Sequence, residues 1–204
     1  MVFKTEVAPM DEIKEEKQEI SKDIVKKLGA FSTDEVVQKS RQIEKRLFEF
    51  ANFVEAHVVL LYLSKAGEVD TWQIISSCFA HGKVVVVPLF DGKGKNFKLL
   101  KVSDVNKDII NTAGQGLVPD PSRCRVVPVN GIEIALIPGL VFDEKGARIG
   151  LGNGHYDKLL PRLPATTRKV SLAFEDQIIQ QIPKGSIDRY VDIIITEERI
   201  IYKI

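Results

Sequence analysis

The stretch GARIGLGNGHYD, residues 146–157, gathers Arg148, Gly150, Gly152, Asn153, Gly154, His155, Tyr156 and Asp157 between an apolar run and a leucine-rich segment. Glycines at 150, 152 and 154 allow positive φ angles and let successive backbone N–H groups point into one concavity. A helix opening just beyond adds its positive end, and together these features make an anion site. Arg148 stands two residues before Gly150, and Asp157 three after Gly154. A cation and a magnesium-competent carboxylate beside such a loop suit a nucleotide triphosphate. The register excludes the dinucleotide fingerprint, because His155 falls where its third glycine belongs, and no G-K-[ST] follows to make a Walker A loop. Alone, the stretch reads equally well as a structural turn.

The elements that must position this loop are marked by changes of hydrophobic period. Residues 10–28 read as a strongly charged helix. Ser32 with Glu35 forms a capping box that opens a second helix to about Val54, with Val36, Ile43, Leu47, Phe50 and Val54 as its core face. HVVLLYL at 57–63 has strand length, Asp70 is placed to cap a helix over 71–81, and VVVVPLF follows as a second apolar run. This is a βαβ unit, which implies parallel strands joined by a right-handed crossover. DGKGKN is turn chemistry, and FKLLKV reads as a returning strand. QGLVPDP at 115–121 is a Gly/Pro-punctuated loop that either lines a cleft or merely connects. EIALIPGLVF reads as a buried strand ending at Pro138–Gly139, DEKG as a tight turn, and 154–162 as a helix. KVSLAF, DIIITEE and IIYKI complete the sheet. The expectation is a single α/β domain over 1–204: a three-layer Rossmann-like sandwich with a mostly parallel central sheet.

Composition narrows the partners. The chain has 204 residues, 44% of them hydrophobic, enough for a sizeable core, and a formal net charge of +1 gives no polyanion-binding signature. Small molecules are the expected partners, not nucleic acid. Cys78 and Cys124 form neither a metal-ligand spacing nor a disulfide framework and read as small buried apolar residues. The first residues are too charged for a signal peptide, and no apolar run approaches the roughly 20 residues that span a bilayer. A soluble cytoplasmic protein is expected.

IPGLVFDEKGARIGLGNGHYDKLL resembles the signature of the 5-formyltetrahydrofolate cyclo-ligase family, a P-G-x-x-F-D…G-x-R-x-G-x-G-x-G-Y-Y-D segment. Lys17, Glu68, GKVVVVP, Pro119 in QGLVP, LAFEDQ at 172–177 and VDIIITEE at 191–198 fall in the family's order and approximate spacing, so the likeness covers nearly the whole chain. It implies use of MgATP to close 5-formyltetrahydrofolate, with or without a polyglutamate tail, to 5,10-methenyltetrahydrofolate with release of ADP and phosphate. Such a reaction asks the protein chiefly to position two ligands and neutralise phosphate charge. A monomer is expected.

The same resemblance implies roles for residues. Lys17, Arg148, Gly150, Gly152, Asn153, Gly154 and Tyr156 would bind ATP. Tyr62, Glu68, Gly152, Asn153, Gly154 and His155 would bind the folate. Arg148, Glu68 and His155 would be catalytic, and Asp157 and Asp192 would hold Mg²⁺. Three places depart from the family pattern: Ser21 where an arginine is usual, His155 and Asn153 inside the glycine motif, and Val118 where bacterial members often carry glutamate. These departures keep open a second reading, a nucleotide- or folate-binding protein that has lost turnover. Retention of Arg148, Asp157, Asp192 and Glu68 together argues against it. A sugar-phosphate isomerase or transferase on a related sheet lacks a plausible base here.

Overall fold

The computed structural model describes residues 10–65, 67–91, 96–114, 116–151, 154–183, 185 and 189–203. Helices are α1 (Met10–Leu28), α2 (Thr33–Glu49), α3 (Ala51–Glu55), α4 (Trp72–Ala80), α5 (Val105–Asp108) and α6 (His155–Leu159). Strands are β1 (Val58–Leu60), β2 (Val84–Phe90), β3 (Phe97–Val102), β4 (Ile109–Thr112), β5 (Gly116–Pro119), β6 (Arg125–Val126), β7 (Ile134–Leu136), β8 (Val141–Asp143), β9 (Arg148–Ile149), β10 (Arg168–Leu172), β11 (Ile178–Ile179), β12 (Ile193–Ile195) and β13 (Ile200–Tyr202). The large sheet runs β13-β12-β10-β7-β1-β2-β3-β6; its five central strands, β12 to β2, are parallel, and the outer strands are antiparallel.

The apolar runs work because both faces of this sheet are covered. Val59, Leu61, Val85, Val87, Ile134, Leu136, Val170, Leu172, Ile193 and Ile195 pack on one side with Ile43, Leu47, Phe53, Ile74, Ile75 and Cys78 from α2, α3 and α4. Their neighbours Leu60, Val86, Ala135, Ile137, Ala173 and Ile194 point the other way, onto Phe142, Leu159, Leu160 and Leu163. The strict alternation builds three layers, as the sequence predicts. Cys78 and Cys124 are both buried thiols.

One local expectation is corrected. The helix from Ser32 does not run on to Val54: its capping box forms, but Phe50 turns extended (φ −77°, ψ 113°) and separates α2 from α3. The restart changes phase, so that Phe53 is buried and Val54 is 54% exposed. The buried Lys83 ammonium secures the new end by donating to the carbonyls of Phe53, Val54 and Ala56, where a cation meets the negative end of α3. EIALIPGLVF holds the expected buried strand, β7, which ends before Pro138–Gly139. The chain leaves β7, turns at Pro138–Gly139 and enters β8 in a separate sheet with β9 and β11. α1 packs beside this small sheet, with Ile24 against Val141, Ala147 and Ile182.

Candidate active site

A cleft of about 590 Å³ opens where the central strands end, the place an open parallel sheet reserves for ligands. Its walls come from the chain after β1 (Tyr62, Leu63, Lys65, Glu68), the end of β2 (Pro88, Phe90, Asp91), the β4–β5 hairpin (Leu117, Val118, Pro119), Pro138, and the loop from Arg148 to Asp157. β2 continues four residues beyond its last pairing with β1 at Val86, so one side of that strand stands open. Pro88, which has no N–H to donate, sits in that stretch. Leu117 to Pro119 thus line the cleft from β5, which pairs with β4.

Arg148 organises one wall. Its side chain is 2% exposed; Nη1 donates to the Pro138 carbonyl at 3.0 Å and Nη2 pairs with Asp157. Burial lowers the guanidinium's pKa, while the Asp157 carboxylate and Tyr156 oppose that shift. Gly150 is required here by Arg148 itself: a Cβ at 150 would lie 2.9 Å from Nη1. Gly154 takes φ +62° and starts α6, so that His155, Tyr156 and Asp157 follow at the cleft. The aspartate of the FDEKG turn, Asp143, is buried and is not among the cleft-lining residues. It accepts N–H groups from Lys145, Ala147 and Ile182, which fixes the approach to Arg148.

The opposite wall carries Glu68. Gly67 takes φ +85°, and the tight turn lets the Glu68 carboxylate accept the Lys65 N–H at 2.7 Å. Burial raises its pKa, against the pull of that hydrogen bond and of the Lys65 charge. Tyr62 and Tyr156 are pushed up as well, chiefly by burial and next by the Glu68 charge. Phe90 ties the aromatic residues together: the His155 ring stacks on it at 4.6 Å and 20°, and Tyr156 meets it edge-on at 5.3 Å. Burial, followed by the charges of Lys158 and Lys65, lowers the pKa of His155.

The structure therefore gathers Tyr62, Glu68, Arg148, Gly150, Gly154, His155, Tyr156 and Asp157 around one cleft. Gly152 and Asn153 lie outside the described residues. Lys17 is partly buried on α1 and is not among the cleft-lining residues; its carbonyl accepts the hydroxyl of Ser21 at 2.7 Å. Asp192 is not among the cleft-lining residues. It stands just before β12, at the end of the sheet where the parallel strands begin, and its carboxylate accepts the Lys169 N–H at 2.9 Å and faces the Lys169 ammonium. A residue at a strand start is carried away from a cleft at the strand ends. Phe90, Leu63 and Leu151 are cleft residues that the sequence reading missed. The available signal was position: Phe90 closes an apolar strand at its C-terminal end, where α/β clefts form.

Comparison with known proteins agrees with this geometry. The model of the 5-formyltetrahydrofolate cyclo-ligase family matches residues 13–197. The 5-formyltetrahydrofolate cyclo-ligase of Mus musculus is 25% identical over 194 residues, covering 89% of this chain and 94% of its own. A probable 5-formyltetrahydrofolate cyclo-ligase of Caenorhabditis elegans is 29% identical, covering 95% and 98%. The solution structure of Aquifex aeolicus 5,10-methenyltetrahydrofolate synthetase superposes with a TM-score of 0.80 at 26% identity, covering 92% of each chain.

Proposed function

Because the chain belongs to the 5-formyltetrahydrofolate cyclo-ligase family and catalyses the ATP-dependent closure of 5-formyltetrahydrofolate to 5,10-methenyltetrahydrofolate, we propose that its cleft is divided between the two substrates. The buried Arg148, tethered to Pro138 and Asp157 beside Gly150, is the observation that carries the assignment of the triphosphate to that wall. A desolvated guanidinium attracts phosphate far more strongly than one in water. The folate takes the wall of Glu68, Tyr156 and the Phe90–His155 stack. Leu117 and Leu151, 48% and 49% exposed, offer apolar surface at the mouth.

The reaction then follows from proximity. The formyl oxygen bonds to the γ-phosphorus as the bond to the β-bridging oxygen breaks and ADP departs. N10 attacks the activated formyl carbon, the C–O bond breaks, and phosphate leaves with that oxygen. Arg148 neutralises charge on the transferring group throughout. Glu68, whose raised pKa marks a high proton affinity, takes the N10 proton and faces the cationic product.

Mg²⁺ fits this site as a shared ligand. Among the described residues no trio of His, Cys, Asp or Glu is gathered to hold a metal by protein alone. Asp157 is half-exposed, supplies a hard oxygen, and lies beside the proposed phosphate position. Magnesium is commonly bound by one or two carboxylates together with substrate phosphates. When bound, it would offset phosphate charge.

The test follows the near-ultraviolet absorbance of the methenyl product on mixing the protein with 5-formyltetrahydrofolate, ATP and graded magnesium. Absorbance should rise only with all three present, and Asp157→Asn should shift the magnesium titration to higher concentration while the protein still melts cooperatively. An unchanged magnesium titration in Asp157→Asn would remove that carboxylate from the metal site.

A further inference from the structure

We propose that Gln177, which touches no part of the cleft, is a positioning residue for Arg148. Gln177 is 3% exposed, in the segment Glu175–Gln177 after β10. Oε1 accepts the Phe174 N–H at 2.8 Å, and Nε2 donates to the carbonyls of Leu140 at 2.9 Å and Gly139 at 3.3 Å. The orientation is fixed by its neighbours, because a flipped amide would set donor against donor and acceptor against acceptor. The next carbonyl back along the turn, Pro138, is the one that receives Nη1 of Arg148.

Three successive carbonyls, 138 to 140, thus accept side-chain donors, one from Arg148 and two from Gln177. The backbone is already anchored on both sides of the turn: Ile137 N–H donates to Val170 at 2.7 Å and Leu140 N–H to Ile149 at 2.8 Å. Gln177 therefore adds little to the path of the chain. It sets the tilt of the peptide planes, and with them the direction of the Pro138 carbonyl. A buried guanidinium held by few bonds is sensitive to that direction, since a hydrogen bond weakens steeply as its angle closes. The inference rests on the role given to Arg148 under Proposed function.

Gln177→Glu keeps the acceptor for Phe174 and removes the amide donors. kcat/KM for ATP should fall roughly ten- to hundredfold, with the KM for 5-formyltetrahydrofolate changed by less than about twofold. The loss should shrink as pH is lowered, because a protonated glutamic acid can again donate to the turn, whereas Gln177→Met should show no such recovery. In an Arg148→Lys background, Gln177→Glu should cost little more; full additivity of the two losses overturns the proposal. Equal loss on both substrates would also overturn it. A fully active Arg148→Lys protein would instead withdraw the role of Arg148, and this proposal with it. If Gln177→Glu does not fold, the wild-type enzyme decides: nucleotide binding should shift the Gln177 side-chain amide NMR signals, and signals unmoved at saturating ATP refute the coupling.

Discussion

Gly150→Ala perturbs the phosphate wall through one methyl group. Gly150 has no positive φ, so alanine is allowed by the backbone and the effect is confined to what the new Cβ meets. That Cβ would lie 2.9 Å from Nη1 of Arg148, with Cζ and Nη2 at 3.7 and 3.8 Å. Ordinary contact begins near 3.5 Å, so the guanidinium must retreat by roughly 0.6 Å. A retreat along the line to Pro138 would compress a 3.0 Å bond, and one away from it would stretch that bond beyond hydrogen-bonding length. Losing one hydrogen bond to a charged group costs about 1.5–3 kcal/mol, or about 10- to 150-fold. Steady-state assays of methenyl formation should show this loss in kcat/KM for ATP, and because the same bond is lost from the ligand-free fold the melting temperature should fall by about 3–12 °C, at about 2–4 °C per kcal/mol in a chain of this size. Gly131→Ala is the control, since its Cβ would meet only Val127 at 3.9 Å. Wild-type ATP kinetics in Gly150→Ala would refute the claim that the Arg148 geometry matters to turnover.

Glu68→Gln should lower turnover more than ATP affinity. Because burial raises the Glu68 pKa, its ionised form is lost, as acid is added, at a pH above the ordinary glutamate value, so the acid limb of the wild-type profile should be raised in the same direction and vanish in Glu68→Gln. A retained limb assigns it elsewhere. His155→Tyr should be tolerated, since tyrosine can keep a ring on Phe90, whereas His155→Ala should cost activity. The His155 pKa is depressed, so its neutral ring is present above the ordinary histidine value, and any contribution is lost only as pH falls through the lower folded-state pKa. A histidine-dependent step at or above neutrality, or indifference to both substitutions, would remove His155 from the chemistry.

The parts of the fold that could be read from sequence are those set by local pattern. The runs at 58–63 and 84–90 are almost wholly apolar because each strand is covered on both faces, and the Ser32–Glu35 capping box is a contact within one turn. The helix break at Phe50 could not be read, because extending α2 would keep Val54 on the apolar stripe and only the packing of Phe53 and Lys83 selects the interruption. The motif residues of the site were legible for the same local reason: Arg148 and Asp157 meet though only nine positions apart in sequence. The place of Asp192 was not legible, because an aspartate at a strand start looks alike at either end of a sheet. Phe90 under His155, and Gln177 under Gly139, join segments whose proximity no spacing encodes.

These long-range joints explain why signature residues that touch no ligand belong with those that do. A guanidinium at 2% side-chain exposure is costly to bury, and its Nε has no hydrogen-bond partner among the described residues. Folding alone would favour an apolar side chain at position 148. What makes the arginine tenable is a frame assembled from separate segments: Pro138 from the turn after β7, Asp157 from α6, and Asp143 holding the N–H of Ala147. Pro138 and Asp143 have no reacting partner of their own. Removing any frame residue leaves the charge buried with fewer bonds, so the cost reaches phosphate binding through Arg148. Motif letters such as the aspartate of FDEKG are thus constrained by the chemistry at one remove, because the cleft needs a dehydrated cation and only a braced backbone can keep one there.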